Sequence, residues 1–139
     1  MAGLIFWQAC WPAKSEKMIL LKRAYERATP KDGKRFLIER LWPRGVRKSA
    51  LPLDDWLKDV APSTELRKWF SHDPAKWGEF QSRYRAELEH QPQLWKPLLS
   101  AARNRTITLV FSSHDVEHNN AVVLKEFLES QLRKARKAA

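Results

Sequence analysis

The run TITLVF at residues 106–111 decides the fold, because SSHDVEHNN follows it at residues 112–120 and AVVLKEFLESQL at residues 121–132. The first segment is short, uncharged and rich in β-branched residues, which is typical of a fully buried central strand. The third segment repeats apolar residues at helical spacing. A buried strand, a polar loop and an amphipathic helix, in that order, predict a parallel sheet with helices packed on it.

Two further strand candidates lie upstream, MILLKRA at residues 18–24 and RFLIERL at residues 35–41, with turn-forming residues between them. From residue 53 to residue 103 the pattern is helical, and it begins with a helix predicted over 53–60. One stripe at helical spacing consists of Trp77, Phe80, Tyr84 and Leu88. We therefore predict an α/β fold: a small, mainly parallel β-sheet covered by α-helices in a single compact domain.

The domain is predicted to span residues 18–132, with a disordered N-terminal extension at residues 1–17 and a basic C-terminal tail at residues 133–139. The apolar patch in the first segment is too short to span a bilayer and lacks the basic start of a secretory signal. The single cysteine, Cys10, excludes an internal disulfide and suits a reducing compartment. We expect a cytoplasmic protein without a membrane partner.

The positive charge is concentrated in one part of the chain. The formal net charge is +10, and residues 18–50 hold ten Lys or Arg against three acids, whereas residues 51–132 hold ten against twelve acids. Such a surplus attracts polyanions, including nucleic acids, but basic termini also serve solubility alone. The four glycines are too far apart for a dinucleotide- or phosphate-binding loop, so we predict no cofactor.

Two loops after predicted strands carry the candidate site, ERLWPRGVRK at residues 39–48 and SSHDVEHNN at residues 112–120. Arginine binds carboxylate or phosphate through a planar fork, so Arg44 would hold an anion while Trp42 forms a wall. His118 and His114 are the candidates for proton transfer, since imidazole titrates near neutral pH. The other predicted ligand-binding residues are Arg40, His72, Asp73, Asp115, Asn119 and Asn120.

His114 to His118 also fits the H-x-x-E-H spacing of a zinc-protease signature. That motif needs both histidines on one continuous helix face and a third ligand. Here the motif straddles a strand end and a helix start, so we predict no metal site.

Most of the chain resembles the YeaO-like family of small uncharacterised bacterial proteins, domain of unknown function 488. The resemblance rests on ERLWPRGVRK, DDWLKDVAPSTELRKWFSHDP, FQSRYRAEL, TLVF and HNNAVVLKEFL, and runs from Met18 to about residue 132. It implies a compact α/β fold but no reaction, so whether the chain is an enzyme stays open. The family strand before W-P-R-G usually ends in Asp-Arg, where this chain has Glu39 and Arg40.

Three functions follow from these observations. The leading prediction is a protein that binds a small anionic or phosphate-bearing ligand in a cleft at the strand C-termini. The first alternative is a nucleic-acid-associated basic protein. The second is a partner-binding module with an exposed tryptophan patch.

Overall fold

One four-stranded parallel sheet forms the centre of the molecule. The computed structural model describes residues 18–138, and the predicted N-terminal extension lies outside them. The strands are β1 Ile19–Arg23, β2 Lys34–Leu37, β3 Asp55–Trp56 and β4 Ile107–Phe111. Their order in the sheet is β1-β4-β2-β3, and each neighbouring pair is parallel. The predicted α/β fold is confirmed, and every residue of the central strand β4 is buried, as its sequence predicts.

Four α-helices accompany the sheet. They are α1 Thr64–Phe70, α2 Trp77–His90, α3 Pro92–Asn104 and α4 Asn120–Ala138. Short 3-10 turns lie at Pro30–Asp32, Lys48–Ala50, Lys58–Val60 and Pro74–Lys76. Within the described residues, none of the helices is both long and apolar enough to cross a membrane. The backbone of α4 continues through residues 133–138, which the sequence predicts as a tail.

The two faces of the sheet are covered differently. Because side chains alternate along a strand, Phe36 and Leu109 point into the main core with the helices. Leu37 and Val110 point the other way, into a smaller core that also contains Leu51. The loop between β2 and β3 covers this second face.

The prediction of a helix over Leu53–Val60 is wrong, because this segment forms β3 and a 3-10 turn instead. The backbone N–H of Asp54 donates to the Arg35 carbonyl at 2.7 Å, and the Asp54 carboxylate accepts from the Arg35 N–H, also at 2.7 Å. Further along, the N–H of Leu57 donates to the carbonyl of Leu37 at 2.8 Å. The backbone groups of this segment therefore form hydrogen bonds with the edge of β2. In a short helix they would have to bond to one another instead.

Candidate ligand-binding site

The two loops that carry the predicted site are joined directly. The Glu39 carboxylate accepts two hydrogen bonds from Ser112, at 3.1 Å from its backbone N–H and at 2.7 Å from its hydroxyl. The side-chain amide of Asn120 donates to the Ile38 carbonyl at 3.1 Å. The ends of β2 and β4 and the start of α4 therefore meet in one region, where open parallel sheets commonly bind ligands.

Asp115 organises the loop between β4 and α4. One carboxylate oxygen accepts from the backbone N–H groups of Glu117 at 2.9 Å and His118 at 3.0 Å. The other oxygen lies 2.9 Å from Nδ1 of His118. The hydrogen bond from Glu117, reinforced by both groups of His118, lowers the pKa of Asp115 below its ordinary value. In the neutral ring, a proton on Nδ1 leaves Nε2 of His118 as an acceptor.

Asn119 is a helix cap. Its side-chain oxygen accepts from the N–H of Val122 at 3.2 Å, and its NH₂ group donates to the Asp115 carbonyl at 2.8 Å. Only 3% of Asn119 is exposed. Capping of α4 therefore accounts for both contacts of the Asn119 side chain.

Arg23 is a member of this region that the sequence reasoning missed. Its Nε donates to the Ser113 carbonyl at 2.9 Å, and its Nη2 donates to the Ser112 carbonyl at 3.3 Å. The same Nη2 lies 3.5 Å from Nδ1 of His114. Its guanidinium also stacks over the ring of Tyr25, 4.8 Å from the centroid. Arg23 therefore links the loop after β1 to the loop after β4.

A positional signal could have identified Arg23. It is the last residue of β1, and it is in register with Phe111 at the end of β4. The carboxyl ends of parallel strands share one edge of the sheet, so the loop after β1 belongs beside the two loops that the sequence analysis selected.

Trp42 and Arg44 lie on the side of the smaller core. Trp42 is half-buried, packs edge-on against Trp56 with ring centroids 5.3 Å apart, and donates from Nε1 to the Val46 carbonyl at 2.6 Å. The side chain of Arg44 is exposed, and its carbonyl accepts from the Tyr25 hydroxyl at 3.1 Å. The backbone of Arg44 is thus linked to Arg23 through Tyr25, whereas Trp42 packs mainly within the protein.

His72 and Asp73 lie in the turn between α1 and α2. The Asp73 carboxylate accepts from a backbone N–H of the following 3-10 turn, and His72 has a left-handed φ of 58°. The ring centroid of His72 is 6.2 Å from that of Phe70. Phe70 packs against Trp77, whose centroid is 5.1 Å from that of His118. His72 is therefore connected to the β4–α4 loop through an aromatic cluster, whereas Asp73 caps the 3-10 turn.

Arg40 contacts the segment between β3 and α1. Its Nε donates to the Pro62 carbonyl at 3.1 Å and its Nη2 to the Ala61 carbonyl at 3.4 Å. Its Nη1 lies 3.6 Å from the Asp59 carboxylate, whose side chain is 80% exposed. Arg40 lines a cavity of its own beside Tyr84.

The predicted residues thus form contact groups instead of one compact constellation. Asp115, His118, Asn119 and Asn120 lie in the β4–α4 loop and at the start of α4, with Arg23 and His114 beside them. Within residues 18–138, no three His, Cys, Asp or Glu side chains are close enough together to hold a metal ion. The side chains in these groups can form hydrogen bonds, and the Arg23 guanidinium can bind an anion.

Exposed large hydrophobic residues also lie at the same end of the sheet. In the described part of the chain, the exposed large hydrophobic residues are Met18, Tyr25, Leu41 and Val116. Three of these four lie in the loops after β1, β2 and β4, with exposures of 49%, 70% and 54%. By contrast, none of the five tryptophans from residue 42 to residue 95 is in the exposed class. In the part of the chain that the structure describes, the exposed large apolar side chains are therefore not tryptophans.

Comparison with known proteins finds relatives that match this chain along nearly their whole length. The sequence profile of the inactive DUF488-N3 subclade matches residues 18–139. The uncharacterised protein YeaO of Escherichia coli is 42% identical over 112 residues, which cover 81% of this chain and 97% of YeaO. An uncharacterised protein of Mycobacterium tuberculosis is 38% identical over 116 residues, which cover 84% of this chain and 98% of that protein. No solved structure matches the chain.

Proposed function

The chain belongs to the inactive DUF488-N3 subclade of YeaO-like proteins, and on that premise we propose that it binds a small anionic or phosphate-bearing ligand without transforming it. The ligand would lie over the carboxyl ends of β1, β2 and β4. Arg23 and Arg44 would supply positive charge, and His114 would supply a ring N–H. Because the subclade is described as inactive, binding without turnover is the simpler role for these groups.

The observation that carries this proposal is the setting of the Arg23 guanidinium. Two carbonyls orient it, yet within the described residues no carboxylate lies within ion-pair distance of it. The Glu26 carboxylate instead accepts from the Arg23 backbone N–H at 2.8 Å. A cation held in a fixed orientation and left without a counter-ion is suited to binding an anion.

His114 supports the same role. If Nη2 of Arg23 donates to its Nδ1, the neutral ring carries its proton on Nε2 and presents a donor to the surroundings. His118 has the opposite arrangement, since Asp115 faces its Nδ1 and leaves Nε2 as an acceptor. One histidine would thus contact the anion, and the other would accept a hydrogen bond from a ligand hydroxyl or amine.

Ligand-induced thermal stabilisation tests the proposal. Inorganic phosphate, pyrophosphate and citrate serve as probes, since a ligand that binds only the folded state raises Tm as its concentration exceeds Kd. Arg23→Gln and Arg44→Ala should each remove most of the Tm increase. Arg103→Gln, an exposed charge on α3, is the matched control and should keep it. A Tm increase that is equal in all three variants, or absent in the native protein with every probe, would refute the proposal.

Association with nucleic acid stays a prediction from charge. The ring of Trp69 is already packed against Lys76 and Arg83, at 5.2 and 4.3 Å from the centroid, so it is not a free platform for stacking a base. Removing residues 133–139 would reduce the salt dependence of any such binding. No binding of single- or double-stranded DNA or RNA at low salt would eliminate this alternative.

A further inference from the structure

A cavity of about 290 Å³ lies between the segment after β3 and the facing sides of α2 and α3. None of the residues proposed above to contact the anion, Arg23, Arg44 and His114, lines it. Its volume is near the lower end of the ~300–1,000 Å³ range of small-molecule pockets. A cavity of this size suits a molecule no larger than an amino acid.

Glu87 brings an unneutralised negative charge to this cavity. One carboxylate oxygen accepts from the Ser63 N–H at 2.9 Å, and the other accepts from the Ser63 hydroxyl at 2.6 Å. No Lys, Arg or His within the described residues lies within ion-pair distance of Glu87. The carboxylate is half-buried, fixed in position and without a counter-ion.

Arg40 brings a positive charge whose counter-ion is weak. Its guanidinium is held by the carbonyls of Ala61 and Pro62, and the only carboxylate within ion-pair distance in the described chain is Asp59, at 3.6 Å. Since the Asp59 side chain is 80% exposed, this pair contributes little. One N–H on each terminal nitrogen of Arg40 is left for a ligand.

The two charges lie near the same buried hydroxyl. The Tyr84 hydroxyl donates to the Val60 carbonyl at 2.5 Å. Burial raises the pKa of Tyr84 above its ordinary value, the Glu87 carboxylate raises it further, and the Arg40 guanidinium opposes both. The phenol therefore stays protonated, and both charged side chains line the cavity with it. Leu88 completes the wall with apolar surface.

We infer that this cavity binds a small zwitterion of the α-amino acid class. The ligand ammonium would pair with Glu87 and the ligand carboxylate with Arg40, so that each protein charge gains the counter-ion that it lacks. The ligand side chain would lie against Leu88 and Leu94, which are the apolar residues that α2 and α3 contribute. A phosphate or other simple anion would leave Glu87 unpaired and is disfavoured.

An NMR titration of the ¹⁵N-labelled protein tests this assignment. L-leucine, L-glutamine, L-lysine and L-glutamate are the probes, each raised to about 10 mM, which covers weak specific binding. At least one should shift the backbone signals of Leu88, Gln91 and Leu94 in a saturable way. For leucine, the matched analogues 3-methylbutylamine and 4-methylpentanoate each lack one charge. Each should bind about tenfold or more weakly than the amino acid, since each leaves one charge of the cavity unpaired.

A pair of tryptophan variants on α3 provides the control. Leu94→Trp fills the cavity and should abolish the shifts, whereas Gln93→Trp places the same bulk on an exposed position and should preserve them. Arg23→Gln, which tests the strand-end ligand, should leave this titration unchanged. The inference is overturned if none of the four amino acids shifts these signals, if Leu94→Trp leaves the shifts intact, or if either analogue binds as tightly as leucine.

Discussion

Asp32 is the most deeply buried charged residue in the described part of the chain. It is 3% exposed and pairs with Lys22 at 3.0 Å and with Arg35 at 2.5 Å. It also accepts from the Thr29 backbone N–H and hydroxyl. Burial alone would raise the pKa of Asp32, but the hydrogen bonds from Lys22, Thr29 and Arg35 outweigh it and lower the pKa from 3.8 to about 2. The carboxylate thus holds the start of β2 against β1.

Asp32→Asn should destabilise the protein by about 3–5 kcal/mol, because it leaves the buried Arg35 guanidinium without its counter-ion. The measurement is the free energy of unfolding from urea denaturation. Asp59→Asn removes an exposed carboxylate and should cost less than about 1 kcal/mol. Equal effects of the two substitutions would contradict the structural role given to Asp32.

The stability of the native protein should also fall at acidic pH in a definite window. The pKa of Asp32 is lower in the folded chain than in the unfolded chain, so its contribution is complete above about pH 4 and is lost as the pH falls through 2. The loss attributable to this residue is about 2 kcal/mol. Urea midpoints measured from pH 5 to pH 2 should therefore fall less steeply for Asp32→Asn. Parallel curves would contradict the assignment.

Glu39 connects the two loops of the strand-end region through both of its oxygens. Glu39→Gln removes the negative charge from both bonds: the amide oxygen can still accept from the Ser112 N–H, but the NH₂ group must donate to the Ser112 hydroxyl instead of accepting from it. We expect a destabilisation of about 1–2 kcal/mol, with a large shift of the Ser112 amide signal. Glu89→Gln, at an exposed position of α2, should stay within about 0.5 kcal/mol of the native protein. An unshifted Ser112 amide would mean that the loops do not depend on this contact.

At the scale of elements, the sequence predicts the strands and helices whose apolar residues follow a regular spacing. The buried strand β4 and the helices α2 and α4 were predicted because their apolar spacing is set by the face that they bury. The strand β3 was not, since Leu53–Val60 has helical spacing and pairs with β2 only through tertiary contacts. A two-residue edge strand carries no periodicity of its own, so single-sequence reasoning had no signal for it.

Gly33 determines how the turn before β2 approaches β4. Its φ is 64°, and a Cβ atom there would lie 1.9 Å from the Thr106 carbonyl oxygen, which accepts from the Lys34 N–H at 3.2 Å. Gly33→Ala should therefore destabilise the protein by at least about 2 kcal/mol. Gly78→Ala, in the first turn of α2 with open space around it, should be neutral or stabilising by up to about 1 kcal/mol. Similar unfolding free energies for the two variants would contradict this reading.

At the scale of the whole molecule, the sequence predicts where the candidate site lies better than it predicts which residues belong to the site. Parallel topology alone brings the loops after β2 and β4 together, and the Glu39–Ser112 contact joins them. Arg23 was missed because it lies 89 residues before Ser112, and only the pairing of β1 with β4 brings them together. Arg40 was grouped with its neighbours in sequence, but its side chain points into a separate cavity. Side-chain direction at a loop is set by its tertiary partners, and these leave no local pattern.

The most direct test of the central proposal is an NMR titration of the ¹⁵N-labelled protein with inorganic phosphate at a fixed ionic strength. We expect saturable shifts concentrated at Arg23, Ser113, His114 and Arg44, which Arg23→Gln reduces at least about tenfold in affinity. Fixed ionic strength separates specific binding from general screening of the basic surface. Shifts that are confined to residues 133–139, or spread over all lysines and arginines without saturation, would contradict an anion site at the carboxyl ends of the strands.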